Sequence, residues 1–122
     1  MWHSLFLHRF FQTWIVLGLM LVGVSAQAMT LRELRALEKN DKQGENYANY
    51  YLVGVMEGVL ETDAHRVRDG AKPTICLNGR RLQPSMARSL FDTELQRNDG
   101  VYEADMPVQL VLRNALSTVY SC

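Results

Sequence analysis

Between Glu45 and Thr62 the chain sets apolar and small residues in adjacent rows at four-residue spacing, and no other stretch restricts its fold as much. Tyr47, Tyr51, Val55 and Val59 form one row, Ala48, Leu52, Met56 and Leu60 the row beside it, and Tyr50, Gly54 and Gly58 a third. A period near 3.6 places such rows on one helix. Asn49, Glu57 and Glu61, with Val53 among them, are left to mark a solvent side, so this helix is expected to be covered on most of its circumference. Gly54 and Gly58 each cost about 1 kcal/mol of helix propensity relative to alanine, and their spacing predicts another backbone crossing closely there. A membrane dimerisation use of this Gly-x-x-x-Gly is poor, because the segment also carries glutamates and asparagines.

A helix covered in this way needs neighbours, and three more segments supply them. Thr30-Leu31-Arg32-Glu33 fits a capping box, and Leu31, Leu34 and Leu37 then form one apolar stripe that ends between Asn40 and Gly44. Pro84 suits the first turn of a third helix that runs to about Arg97, with Met86, Ala87, Leu90, Phe91 and Leu95 on one side. Asp105 is a good N-cap, with Pro107 in the first turn, for a last helix facing Val108, Val111, Leu112, Ala115, Leu116 and Val119 inward. Asp63 to Arg81 reads as a connector: Asp69-Gly70, Lys72-Pro73 and Asn78-Gly79 are turn signals with little periodicity between them. Four helices and no convincing strand predict an all-α domain, a small bundle.

The beginning of the chain is a different kind of sequence. Arg9 and the amino terminus supply positive charge, Trp14 to Val24 is an uninterrupted apolar run, and Ala26-Gln27-Ala28 has the small-x-small pattern of a signal peptidase site. A spanning helix needs roughly 20 apolar residues, more than this run offers, so a cleavable signal peptide over 1–28 is favoured above a retained anchor. Cleavage after Ala28 leaves residues 29–122, 94 in all, enough for one core and too few for two. No membrane association is then expected of the mature chain. The 13 basic and 13 acidic residues of the whole chain cancel, which excludes the strongly positive balance of a nucleic-acid binder.

Export gives Cys76 and Cys122, the only two cysteines, an oxidising environment. Joined, they close a loop of 47 residues, which a chain-entropy estimate values at about 4 kcal/mol. The alternative, a reactive Cys76 served by His65, lacks any surrounding nucleophile motif. Zinc needs three or four ligands at suitable spacing, and His65 with Asp63 and Asp69 in a turn-rich loop reads better as exposed polar surface, so no metal is expected. No Gly-x-Gly-x-x-Gly, P-loop or Gly-x-Ser-x-Gly occurs. Neither a catalytic residue nor a cofactor is indicated, and the chain is not expected to be an enzyme.

Taken in order, Tyr50-Tyr51-Leu52-Val53-Gly54-Val55-Met56-Glu57-Gly58-Val59, then Ile75-Cys76, then Asn114-Ala115-Leu116 with Tyr120-Ser121-Cys122 resemble the Rap/Tai family of immunity proteins. Ser121 stands where that family often has proline. The resemblance implies an exported helical protein that protects its producer in the periplasm from a type VI secreted peptidoglycan amidase. Such proteins work by occluding the substrate groove of a papain-like cysteine amidase, without chemistry of their own. The implied partners are that cognate amidase and, since some members are dimers, a second copy of the chain.

A groove-blocking protein needs a projecting element, and the segment between the third and fourth helices is the candidate. Asn98, Asp99, Gly100, Val101, Tyr102 and Glu103 combine a turn, an aromatic ring and carboxylates. Tyrosine is an anchor type at interfaces, and the acidic excess from Asp92 to Asp105 would favour a basic groove. Against this stands a plainer use, in which Tyr102 folds back onto the bundle and the acids are merely solvated. Other functions also stay open: a periplasmic stress chaperone that exposes apolar surface at low pH, or an orphan envelope protein of the same fold.

Overall fold

A computed structural model describes residues 27–122, so nearly all of the expected signal peptide lies outside the described residues. Four helices follow in order: α1 Leu31–Asn40, α2 Gly44–Arg68, α3 Met86–Arg97 and α4 Val108–Val119. Among the described residues there is no strand, only an isolated bridge between Thr30 and Pro107, and no helix is long and apolar enough to cross a membrane. The domain is all-α, and α2 packs against each of the other three helices. Leu34 of α1, Leu52 and Met56 of α2, Phe91 of α3 and Leu112 and Leu116 of α4 meet in one core.

The capping box forms as its residue types require. Glu33 donates its amide to the Thr30 hydroxyl, and its carboxylate accepts from the Thr30 amide at 2.7 Å. The Thr30 amide, and after it the Thr30 hydroxyl donating to the same oxygen at 3.0 Å, hold the Glu33 carboxyl below the usual carboxylate range. The start of α1 and the start of α4 also serve each other: Leu31 and Arg32 donate to the carbonyls of Met106 and Ala104, and Val108 donates to that of Met29. Helix ends buried side by side thus satisfy donors that neither could satisfy alone. Asp105 is consequently not the cap of α4. Pro107, extended at φ −71° and ψ 140°, holds that position without a side-chain bond.

Two expectations for α2 need correction. Of its apolar rows only Ala48, Leu52 and Met56 are fully buried; Tyr51, Val55, Val59 and Leu60 are half-buried against the core, as is Val53 on the expected solvent side, whereas Tyr47 is 52% and Tyr50 78% exposed. No backbone crosses at the paired glycines either: a Cβ built on Gly54 or Gly58 meets nothing within 4 Å. The close approach falls instead at Gly44, where a Cβ would lie 2.0 Å from the Leu37 carbonyl oxygen. A helix-to-helix turn of three residues brings α2 back against the end of α1, and only glycine fits there. Gly54→Ala should therefore raise stability by about 1 kcal/mol, read in urea unfolding, because it removes a propensity cost and creates no clash.

A third correction concerns length, since α2 continues six residues past Thr62 to Arg68. Asp69-Gly70 is its C-cap: Gly70 takes φ +97° and donates to the Val67 carbonyl, while Ala71 donates to that of Arg66. That pattern is a Schellman motif, in which the glycine signals where a helix stops. The connector proper is 69–85. It is tied to the end of the chain by the Cys76–Cys122 disulfide, whose Cα atoms lie 4.9 Å apart, and by the Cys76 amide, which donates to the Tyr120 carbonyl at 2.7 Å. The Arg80 guanidinium stacks 5.3 Å from the Tyr120 ring centre.

Candidate functional site

The segment from Asn98 to Glu103 leaves α3 through a turn that its own residues specify. Asn98 caps α3 by donating its amide to the Glu94 carbonyl, Val101 donates to the Asn98 carbonyl, and Gly100 takes φ +78°. Positive φ is easily reached by glycine and strained for other residues, so the chain reverses at Gly100. Asp99, Gly100, Val101 and Glu103 are exposed, and Val101 keeps 62% of its surface in solvent.

Tyr102 behaves differently from its neighbours. Its ring packs against the core, and its hydroxyl donates to Glu94 Oε1 at 2.7 Å while accepting from Asn114 Nδ2 at 3.0 Å. Burial pushes this hydroxyl above its ordinary pKa; the Asn114 bond opposes that rise and the Glu94 carboxylate adds to it. Asn98 Nδ2 donates to the same Glu94 oxygen at 2.9 Å, and the Arg97 guanidinium pairs with the other. Glu94 is only 3% exposed. A buried carboxylate is costly unless its oxygens are bonded, and here three side chains from α3 and the loop satisfy it.

The arrangement is a braced loop. Tyr102 and Asn98, two of the six candidate residues, face the bundle and fix the base, whereas Asp99, Gly100, Val101 and Glu103 form the free tip. Glu94 and Asn114 join the site without having been candidates. A signal for Glu94 does exist in the sequence: it falls on the face of Ala87, Leu90 and Phe91, with Arg97 and Asn98 three and four residues on. Of the acids between Asp92 and Asp105, Glu94 is buried and Asp92 lies 3.5 Å from Arg88, so the exposed unpaired carboxylates are Asp99, Glu103 and Asp105.

A second buried acid anchors the connector. Asp63 accepts from the Thr74 hydroxyl at 2.6 Å, from the amides of Thr74 and Ile75, and from Arg66 at 3.3 Å. Burial works to raise its pKa, but the Thr74 hydroxyl, the two amides and Arg66 together outweigh it and hold the carboxyl below the usual range. Asp63 therefore turns away from His65, which instead meets Asp69 at 3.1 Å on the surface. Among the described residues no group of three His, Cys, Asp or Glu side chains converges as a metal site would require.

A depressed folded pKa makes Asp63 a source of stability above the ordinary carboxylate pKa, lost as pH falls through the folded value. Asp63→Asn should lower the unfolding free energy at pH 7 and flatten its decline below about pH 4. Urea unfolding across pH 2–7 reads both effects; parallel curves for the two proteins would contradict them.

Compared with family models, with curated proteins and with solved structures, the chain matches none.

Proposed function

We propose that the mature chain is a periplasmic immunity protein that occludes the groove of a type VI secreted cysteine peptidoglycan amidase, as its resemblance to the Rap/Tai family implies. The observation that best supports this reading is the braced loop. A tip held open by a buried Glu94–Tyr102–Asn114 network has little conformational freedom left to lose on binding, which favours affinity at a small interface. Val101 offers an apolar point at the apex, and Asp99, Glu103 and Asp105 around it suit a basic groove and faster encounter. Tyr102 serves the interface as a strut, and the anchor passes to Val101.

The test is protection of cells. With any cysteine amidase that a neighbouring gene encodes directed to the periplasm, the full chain should rescue growth and a chain lacking residues 1–28 should not. Val101→Arg, which alters only exposed surface, should weaken affinity for that amidase by about tenfold or more at unchanged melting temperature. Growth arrest despite abundant exported protein would count against the function, and unaltered affinity in Val101→Arg would count against the tip.

A further inference from the structure

A groove of about 720 Å3 runs between α2, the connector and the first turns of α4, and none of its lining residues belongs to the 98–103 loop. Clefts of roughly 300–1,000 Å3 are the size that takes small organic ligands. Along α2 the wall runs from Val55 to Arg66, about 16 Å at the usual helical rise. Its chemistry changes along that length. Val55, Gly58 and Val59 occupy the first half, and Thr62, Asp63 and Arg66 the second. Ile75 and Leu110 continue the apolar surface from the connector and from α4.

Two features narrow the occupant. The first is charge. Arg66 enters from α2 and Arg113 from α4. The only carboxylate in the lining, Asp63, is already bonded to Thr74, Ile75 and Arg66, and Arg113 makes no ion pair among the described residues. The groove thus keeps positive charge for a ligand.

The second feature is the scarcity of main-chain donors. The amides of Thr74 and Ile75 are spent on Asp63, those along α2 bond within the helix, and in the first turn of α4 Val108 donates to Met29 and Leu110 to Pro107, which leaves Gln109 as the one exception. An extended peptide would give up hydrogen bonds to water along its length without recovering them here. An apolar body gives up none, and the bare backbone at Gly58, where a Cβ would meet nothing within 4 Å, leaves room for it.

We propose that this groove binds a small amphiphilic anion, one carboxylate or comparable head group carried on an aliphatic or aromatic body. The head group meets Arg113 and Arg66, and the body lies along Val55, Gly58 and Val59.

The experiment uses protein expressed from the full chain, the dye 1-anilinonaphthalene-8-sulfonate as a fluorescent anionic probe, and octanoate well below its micelle concentration as competitor. Saturable one-to-one dye binding, displaced by octanoate and not by octyltrimethylammonium, is the expected result. Arg113→Glu should weaken both anions by about tenfold or more, since a hydrogen-bonded charge is exchanged for repulsion. Gly58→Leu should do the same by filling the groove, and because leucine is the better helix former this loss cannot come from unfolding. Gly54→Ala lies outside the lining and should bind as the parent does. Equal dye binding in Gly58→Leu and the parent, competition by octyltrimethylammonium as strong as by octanoate, or a short acidic peptide outcompeting octanoate would each overturn the proposal.

Discussion

Cys122→Ser should unfold with about 4 kcal/mol less free energy than the parent, because the broken bridge frees a 47-residue loop in the unfolded chain. For a domain of this size that corresponds to a melting temperature lower by roughly 15–30 °C. The bridge matters this much because it is the covalent tie between the connector and the chain's end. Around Cys76, Ile75 and Leu77 are only partly buried, and the non-covalent ties are the bonds of Thr74 and Ile75 to Asp63, one amide bond to Tyr120 and the Arg80–Tyr120 stack. In the variant the turn at Asn78-Gly79 should become the first site of proteolysis, while α2 and α4, packed through Leu52 and Leu112, keep their protection. Reductant should bring the parent to the melting temperature of the variant. A parent that melts unchanged in reductant would refute this account of the tail.

Glu94→Ala should cost about 3 kcal/mol, the second-largest effect of a single change. The truncation takes the acceptor from the Tyr102 hydroxyl and the Asn98 amide, and the counter-charge from Arg97. Asn114 still donates to the tyrosine oxygen but cannot accept its proton. Glu94→Gln keeps the shape and one acceptor oxygen, so its loss should be about half as large. The consequence for the loop is separable from stability. Amide exchange at Gly100 and Val101 should accelerate in both variants under conditions where each is folded, since their brace is gone. Unchanged exchange there would mean that the tip is rigid for another reason.

The start of α1 and the bridge were legible in the sequence because each depends on local chemistry or simple counting. Thr30 and Glu33 are three residues apart and need only each other, and two cysteines have one pairing. The glycines were not legible, and the reason is physical. Gly44 is required by a backbone 2.0 Å from where its Cβ would be, yet Gly54 and Gly58 carry the more suggestive spacing and face open space. A glycine records freedom or proximity, and only tertiary contacts separate the two.

The end of α2 was missed for a related reason. Asp69-Gly70 signals a turn equally well when it opens a loop and when it closes a helix, and Asp63, Arg66 and Arg68 disguise the helical period with charge. Asp63 and Glu94 share one lesson: a carboxylate on an apolar face belongs there when its donors come from elsewhere in the chain. For Asp63 those donors are 11 and 12 residues distant, for Glu94 up to eight along α3 and its loop, and Asn114 completes the second network from α4. Tyr102 follows from Glu94. With that acceptor known, the inward turn of its ring is the expected outcome and the free tip shortens to Asp99–Val101 with Glu103.

The central proposal, a scaffold that works by plugging an amidase, is tested most directly by titrating any purified cysteine amidase that a neighbouring gene encodes with the purified protein and following release of cleaved peptidoglycan. The account predicts inhibition that saturates at a fixed stoichiometry and is lost in Val101→Arg at equal thermal stability. Full amidase turnover under saturating protein would contradict it.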